Sequence, residues 1–175
     1  MMRRRLLLLW PLVWALVACA GMSDHGPPCS GAIDVGTASW QQRLQQGPLY
    51  AAAAGSAVAS CAVTQDSGVQ QLKVRFVDGN QLTARQDDRI EFTEVRAEFS
   101  QPLTRDPVDL LRSTERAQFG ARGCGIDWLR PEVESAPSSA GLREQVFRGD
   151  VCNCQGRVSR DLHGDVRALQ WRSAC

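Results

Sequence analysis

Apolar and polar residues alternate most clearly between Val69 and Phe99. Leu72, Val74 and Phe76 share one parity, with Lys73 and Arg75 between them. Asp78-Gly79-Asn80 breaks the run with a turn signal, and Leu82 and Ala84 resume the alternation. Ile90 and Phe92 alternate with Glu91, whereas Val95, Ala97 and Phe99 take the opposite parity. One strand of period two cannot keep both sets on one face. A bulge near Thr93-Glu94, or a strand break, is therefore expected.

A helical period replaces this pattern from Thr104 to Phe119. Asp106 is placed to cap, Pro107 to occupy the first turn, and Asp106 and Asp109 to favour the positive dipole end. Leu110, Leu111, Thr114 and Ala117 form the expected inward stripe, and Gly120 the stop. Ser39 to Gln46 reads as a short helix, capped by Ser39, with Trp40 and Leu44 on one face and Gly47-Pro48 ending it. Residues 49–63 read as helix or loop to about Gly55, then strand through Cys61. Gly125 to Leu129 suits a short strand, and Pro131 to Gly141 a loop. Gln145 to Asp161 leads into a turn at Leu162-His163-Gly164-Asp165, and Val166 to Trp171 returns as the second arm of a hairpin. The expected fold class is α+β: a small antiparallel β-sheet with one or two packed helices, stabilised by disulfides.

The first residues have a different character. Arg3, Arg4 and Arg5 precede an apolar run of 13 residues, Leu6 to Ala18. That run is shorter than the roughly 20 residues a bilayer span needs, and has the proportions of a signal-peptide core. Leu16-Val17-Ala18-Cys19 resembles the lipobox of bacterial lipoproteins, a resemblance confined to residues 1–20. It implies that the Cys19 thiol carries diacylglycerol, that the chain is cut before Cys19, and that the new amine is acylated, as with palmitate. An ordinary secretory signal cut near Ala18 or Ala20 is the alternative. Each buried methylene contributes roughly 0.8 kcal/mol, so two or three chains anchor a protein stably. Ala20, where an aspartate would imply inner-membrane retention, implies the outer membrane, with the domain facing the periplasm or the cell surface. The organisation expected is a signal peptide over 1–18, a Gly-, Pro- and Ser-rich tether over 19–37 and one globular domain over 38–175.

Composition narrows the partners. Without the three leader arginines the chain has 17 basic and 19 acidic side chains. That balance argues against nucleic acid, leaving the bilayer, reached through acylated Cys19, and another envelope protein as expected partners. Seven cysteines are present. If Cys19 carries lipid, six remain in an oxidising compartment, which suits three disulfides. In DVCNCQGR, read as strand, Cys152 and Cys154 project to the same face and are badly placed to bond each other. A hairpin centred near His163 brings Cys152 opposite Cys175. Cys154 then reaches Cys124, leaving Cys29 for Cys61. An exchange of Cys152 and Cys154 is the nearest alternative.

Catalytic patterns are sparse. Cys-x-Cys lacks the helix-start spacing of a thioredoxin-like couple, and a metal site wants four suitable ligands. Histidine is limited to His25 and His163, and no nucleophile, zinc or phosphate-loop motif is present. Asp87, Asp88, Glu91, Glu94 and Glu98 read as a solvated acidic face interleaved with arginines, although paired carboxylates can hydrolyse glycans. Trp128 and Trp171 read as core, and Arg148-Gly149-Asp150 as a strand end. The reading is a non-catalytic binding or accessory subunit of the cell envelope, with no cofactor, metal or catalytic residue assigned. The alternative is a small envelope enzyme, either a carboxylate glycan hydrolase or a thiol redox protein. A small-ligand carrier is a third class and would require an internal cavity.

Overall fold

A computed structural model of the chain describes residues 44–87 and 92–175. The leader, the tether, Cys19, Cys29, the Ser39 cap with Trp40, and the Asp88 to Glu91 part of the acidic stretch lie outside these residues. The described chain forms helix α1 (Pro48–Ala53), strands β1 (Val58–Asp66), β2 (Val69–Phe76), β3 (Gln81–Asp87) and β4 (Phe92–Glu98), then helix α2 (Pro107–Phe119). A 3-10 turn (Gly120–Arg122) follows, then β5 (Val133–Glu134), β6 (Arg143–Arg148), β7 (Gln155–Arg160) and β8 (Val166–Ala174).

All eight described strands join one antiparallel sheet in the order β1-β2-β3-β4-β8-β7-β6-β5. Two four-stranded meanders thus lie side by side, last strand against last strand, with α2 in the connection between them. The fold is more sheet-dominated than a small sheet carrying helices. The final segment is not one hairpin: Gln145 to Asp161 divides into β6 and β7, and with β8 it makes three strands. Gly125 to Leu129 is turn and coil, and the 131–141 loop contains β5.

Side-chain period places the core. Leu72, Val74, Phe76, Leu82, Ala84, Val95, Ala97, Val158, Leu169 and Trp171 are buried, and their pairings put them on one face. Helix α1 packs on β4, α2 packs on β8 and β7, and the helices touch each other. The opposite face carries exposed Lys73, Arg75, Arg85 and Arg172. Its ion pairs Arg96–Glu98 and Arg157–Glu144 are partly exposed and contribute about 0–1 kcal/mol each.

Local chemistry explains the punctuation. Ser67 and Gly68 both have positive φ, 52° and 86°, as a two-residue turn of type I′ requires. Gly47-Pro48 does more than end the preceding segment: Gly47 is the N-cap of α1 and Pro48 sits in its first turn, where a missing N–H costs nothing. Strand β4 pairs with β3 from Phe92 to Glu98 with no bulge at Thr93-Glu94. In α2 the Asp106 carboxylate accepts from Val108 N at 2.7 Å and from Asp109 N at 3.1 Å. The inward stripe is Leu110, Leu111 and Glu115, whereas Thr114 is half-buried and Ala117 exposed. Gly156 on β7 marks a close approach: a Cβ there would lie 2.6 Å from the Trp128 ring.

Asp106→Ala should therefore lower stability by about 1 kcal/mol. Urea denaturation should show a lower midpoint with an unchanged slope, because the same surface is exposed on unfolding.

Candidate functional site

The β6–β7 connection holds the Cys-Asn-Cys sequence and determines what its two sulfurs can do. Cys152 and Asn153 have φ of 56° and 46°, and Cys154 N donates to Val151 O at 3.2 Å. Two successive left-handed residues closed by that bond form a type I′ turn. Asparagine tolerates this conformation, and a cysteine there is uncommon. The strand reading of DVCNCQGR is therefore corrected. Cys152 and Cys154 do not share a strand face: Cys152 is half-buried at the tip, and Cys154 is buried in the core.

Each sulfur meets a different element. Cys152 is bonded to Cys175, with Cα atoms 4.3 Å apart. Beside that bond Ala174 N donates to Cys152 O at 2.7 Å, so the turn is tied to the end of β8. Cys61 on β1 is also disulfide-bonded, while its expected partner Cys29 lies outside the described residues. The expected bond from Cys154 to Cys124 is absent from the structure: both are buried thiols. The Cys124 thiol lies beside Cys154 and Glu115, both near enough to perturb its titration.

Glu115 organises this cluster. It is buried on α2, and its two oxygens accept from Cys124 N and Trp128 Nε1, each at 2.6 Å. A buried carboxylate needs such donors, and here they fasten the segment after α2 back onto the helix. Gly149 completes the approach, since a Cβ there would lie 2.5 Å from Cys124 O. The Arg148-Gly149-Asp150 tripeptide is thus fixed by packing at its glycine. Burial, then the neighbouring Cys154 and Glu115, push the Cys124 thiol far above its ordinary range. Burial also raises Cys154. These thiols stay protonated at neutral pH, which opposes the thiolate reactivity a redox catalyst uses.

The remaining sequence candidates do not converge. Glu94 accepts from Gln170 Nε2 at 2.5 Å, Glu98 pairs with Arg96, and Asp87 is buried at the end of β3. His163 is exposed in the β7–β8 turn, while His25 is outside the described residues. Trp128 and Trp171 are buried. Among the described residues no group of three His, Cys, Asp or Glu side chains is gathered to hold a metal ion. Sequence reasoning missed Glu115. The available signal was an acid one turn after Leu111, on the face already assigned to the core. Set against known protein families, curated proteins and solved structures, the chain matches none.

Two outcomes follow for the cysteines. With the Cys124–Cys154 pair reduced, an aromatic disulfide reagent should leave both thiols unmodified in the folded protein at pH 8, and should modify both in denaturant. Stability of that reduced form should fall as pH rises above about 8.5, the ordinary thiol value. Above that value the unfolded chain has lost thiol protons that the folded chain still holds, so the slope of unfolding free energy against pH is negative. Separately, Cys152→Ala/Cys175→Ala should cost about 3 kcal/mol in denaturant titration, by freeing a loop whose ends are 23 residues apart.

Proposed function

We propose that this chain is a lipid-anchored, periplasm-facing domain of the bacterial outer membrane that serves the envelope as a non-catalytic binding or accessory subunit. The observation that carries the reading is the leader Arg3 to Cys19, with its basic start, 13-residue apolar core and lipobox-like Leu16-Val17-Ala18-Cys19. The Cys152–Cys175 bond is in keeping with an oxidising compartment. In that compartment Cys124 and Cys154 are proposed to pair as a further disulfide, transferring their two electrons to the disulfide of a cysteine-based oxidase, which leaves as a dithiol. Cys29 is proposed to pair with Cys61. Among the described residues no helix is long and apolar enough to cross a membrane. In this reading attachment comes from the acyl chains on Cys19, and the partners are the bilayer and another envelope protein.

The binding role is favoured over the enzyme by how the candidate groups are disposed. Glu94 and Glu98 are held in hydrogen bonds on the sheet's open face, and the sulfurs of Cys124 and Cys154 are buried in the core whether paired or reduced. A glycan hydrolase needs two carboxylates flanking a cleft, and a thiol oxidoreductase needs an accessible thiolate.

Intact-mass and fractionation measurements test the anchor. The wild-type protein should begin at Cys19, carry diacylglyceryl and acyl groups, and sediment with membranes. Cys19→Ser should remain unlipidated and lose the lipid-specific mass. An unmodified Cys19 in the exported wild-type protein would overturn the proposal.

A further inference from the structure

A cleft of about 640 Å³ opens at one end of the β6–β7 pair, between the β7–β8 turn and the loop that joins β5 to β6. Its size is that of a small-molecule site. Arg143 and Arg160 stand in its wall. They are direct partners across β6 and β7, so their side chains leave one face of the sheet with Cβ atoms roughly 4.5–5.5 Å apart. Arg160 pairs with Val166 at the start of β8, whereas Phe92, where the described chain resumes, pairs with Ala174 at its far end.

Like charges directly opposite each other in a sheet are destabilising, and this pair is not neutralised. Among the described residues Arg143 has no polar partner, and Arg160 reaches only the Gly164 carbonyl, at 3.0 Å. Two acids of the cleft wall are engaged elsewhere: Glu144 pairs with Arg157 at 3.1 Å, and Asp161 with Arg167 at 2.7 Å. Glu134, also in the wall, is exposed and accepts from the neutral Gln145 amide at 2.9 Å. It lies opposite Gln145, hence diagonal to Arg143, roughly 7–8 Å away. The cleft therefore presents two uncompensated cations and, one diagonal step from them, an anion held by a neutral group.

We infer that this cleft binds a short zwitterionic peptide, with its terminal carboxylate between Arg143 and Arg160 and its ammonium against Glu134. A carboxylate suits the arginines because its two oxygens match the forked guanidinium donors. It also relieves the repulsion between them. A phosphate dianion would satisfy the same arginines but would meet Glu134 as a like charge, whereas an ammonium meets it as a partner. Ala136, Pro137 and Leu162 supply apolar surface for the peptide's side chains. The inference gives the binding role a ligand and does not depend on how the chain is anchored.

The test uses exported chain of residues 20–175 and titrates it with alanylalanine. The readout is the pair of arginine Nε–Hε resonances lost in Arg143→Gln and Arg160→Gln. A saturable shift of both is expected. Alanylalanine amide, which lacks the carboxylate, should bind about tenfold more weakly, as should alanylalanine to Arg143→Gln, since each change removes a charge-assisted hydrogen bond. N-acetyl-alanylalanine, which lacks the ammonium, should bind about threefold more weakly, because Glu134 is exposed and its ion pair is screened. Glu134→Gln should erase that preference and bind the two peptides alike. Arg143 and Glu134 are both exposed, so these variants should keep the wild-type amide spectrum. The inference is overturned if neither resonance responds to saturating alanylalanine, if the amide or Arg143→Gln binds as tightly as the parent pair, or if inorganic phosphate binds better than alanylalanine. Equal binding of the N-acetyl peptide to wild type would also overturn it, since Glu134 would then hold no ammonium.

Discussion

The pairing of β8 with β4 holds the two halves of this domain together. Strand β8 is the last of the described strands in sequence, yet it lies at the centre of the sheet, bonded to β4 on one side and β7 on the other. Residues 92–98 and 168–174 meet across this seam, with Val95 opposite Trp171 and Ala97 opposite Leu169. Phe119 from α2 reaches the Trp171 ring, with centroids 6.0 Å apart. Because β8 follows all the other described strands in sequence yet lies between β4 and β7, the two meanders cannot join until it has been made. Such non-local pairing must meet its loop-closure entropy before contacts repay it.

The covalent and polar ties are placed to protect that seam. The Cys152–Cys175 bond fixes the Cys175 end of β8 to the β6–β7 turn. The same turn sends Cys154 inward to Cys124, beside the carboxylate that fastens the end of α2. Two cysteines one residue apart serve two different elements because the turn between them is left-handed twice. Glu115 joins helix, turn and Trp128 in one hydrogen-bonded unit, at the cost of burying a carboxylate among thiols.

Much of the first meander was legible in sequence. Alternation at Leu72–Phe76 and Leu82–Ala84, with the Asp78-Gly79-Asn80 turn between, placed β2 and β3. Asp106-Pro107 placed the start of α2 because capping is a local interaction. The failures came where local pattern competes with distant partners. Cys152 and Asn153 look like strand residues, and the closing register of β6 on β7 makes them a turn. Glu115 looks like a surface acid, and is held in the core by Cys124 N and Trp128 Nε1, which both donate to it. Ala117 fits the helical stripe but lies beyond the width of the sheet contact and stays exposed. The position of β8 at the sheet centre was not readable, since its alternation is compatible with a simple terminal hairpin. Trp171 was readable as core, whereas its place opposite Val95 depends on the register of β8 on β4.

Native-state hydrogen exchange on the oxidised protein tests the seam most directly. Amides of β8 and β4 should exchange only through global unfolding, while the edge strands β1 and β5 exchange through local opening. If β8 amides exchanged as fast as those of β1 while the domain remained folded, the C-terminal strand could not be what unites the two meanders.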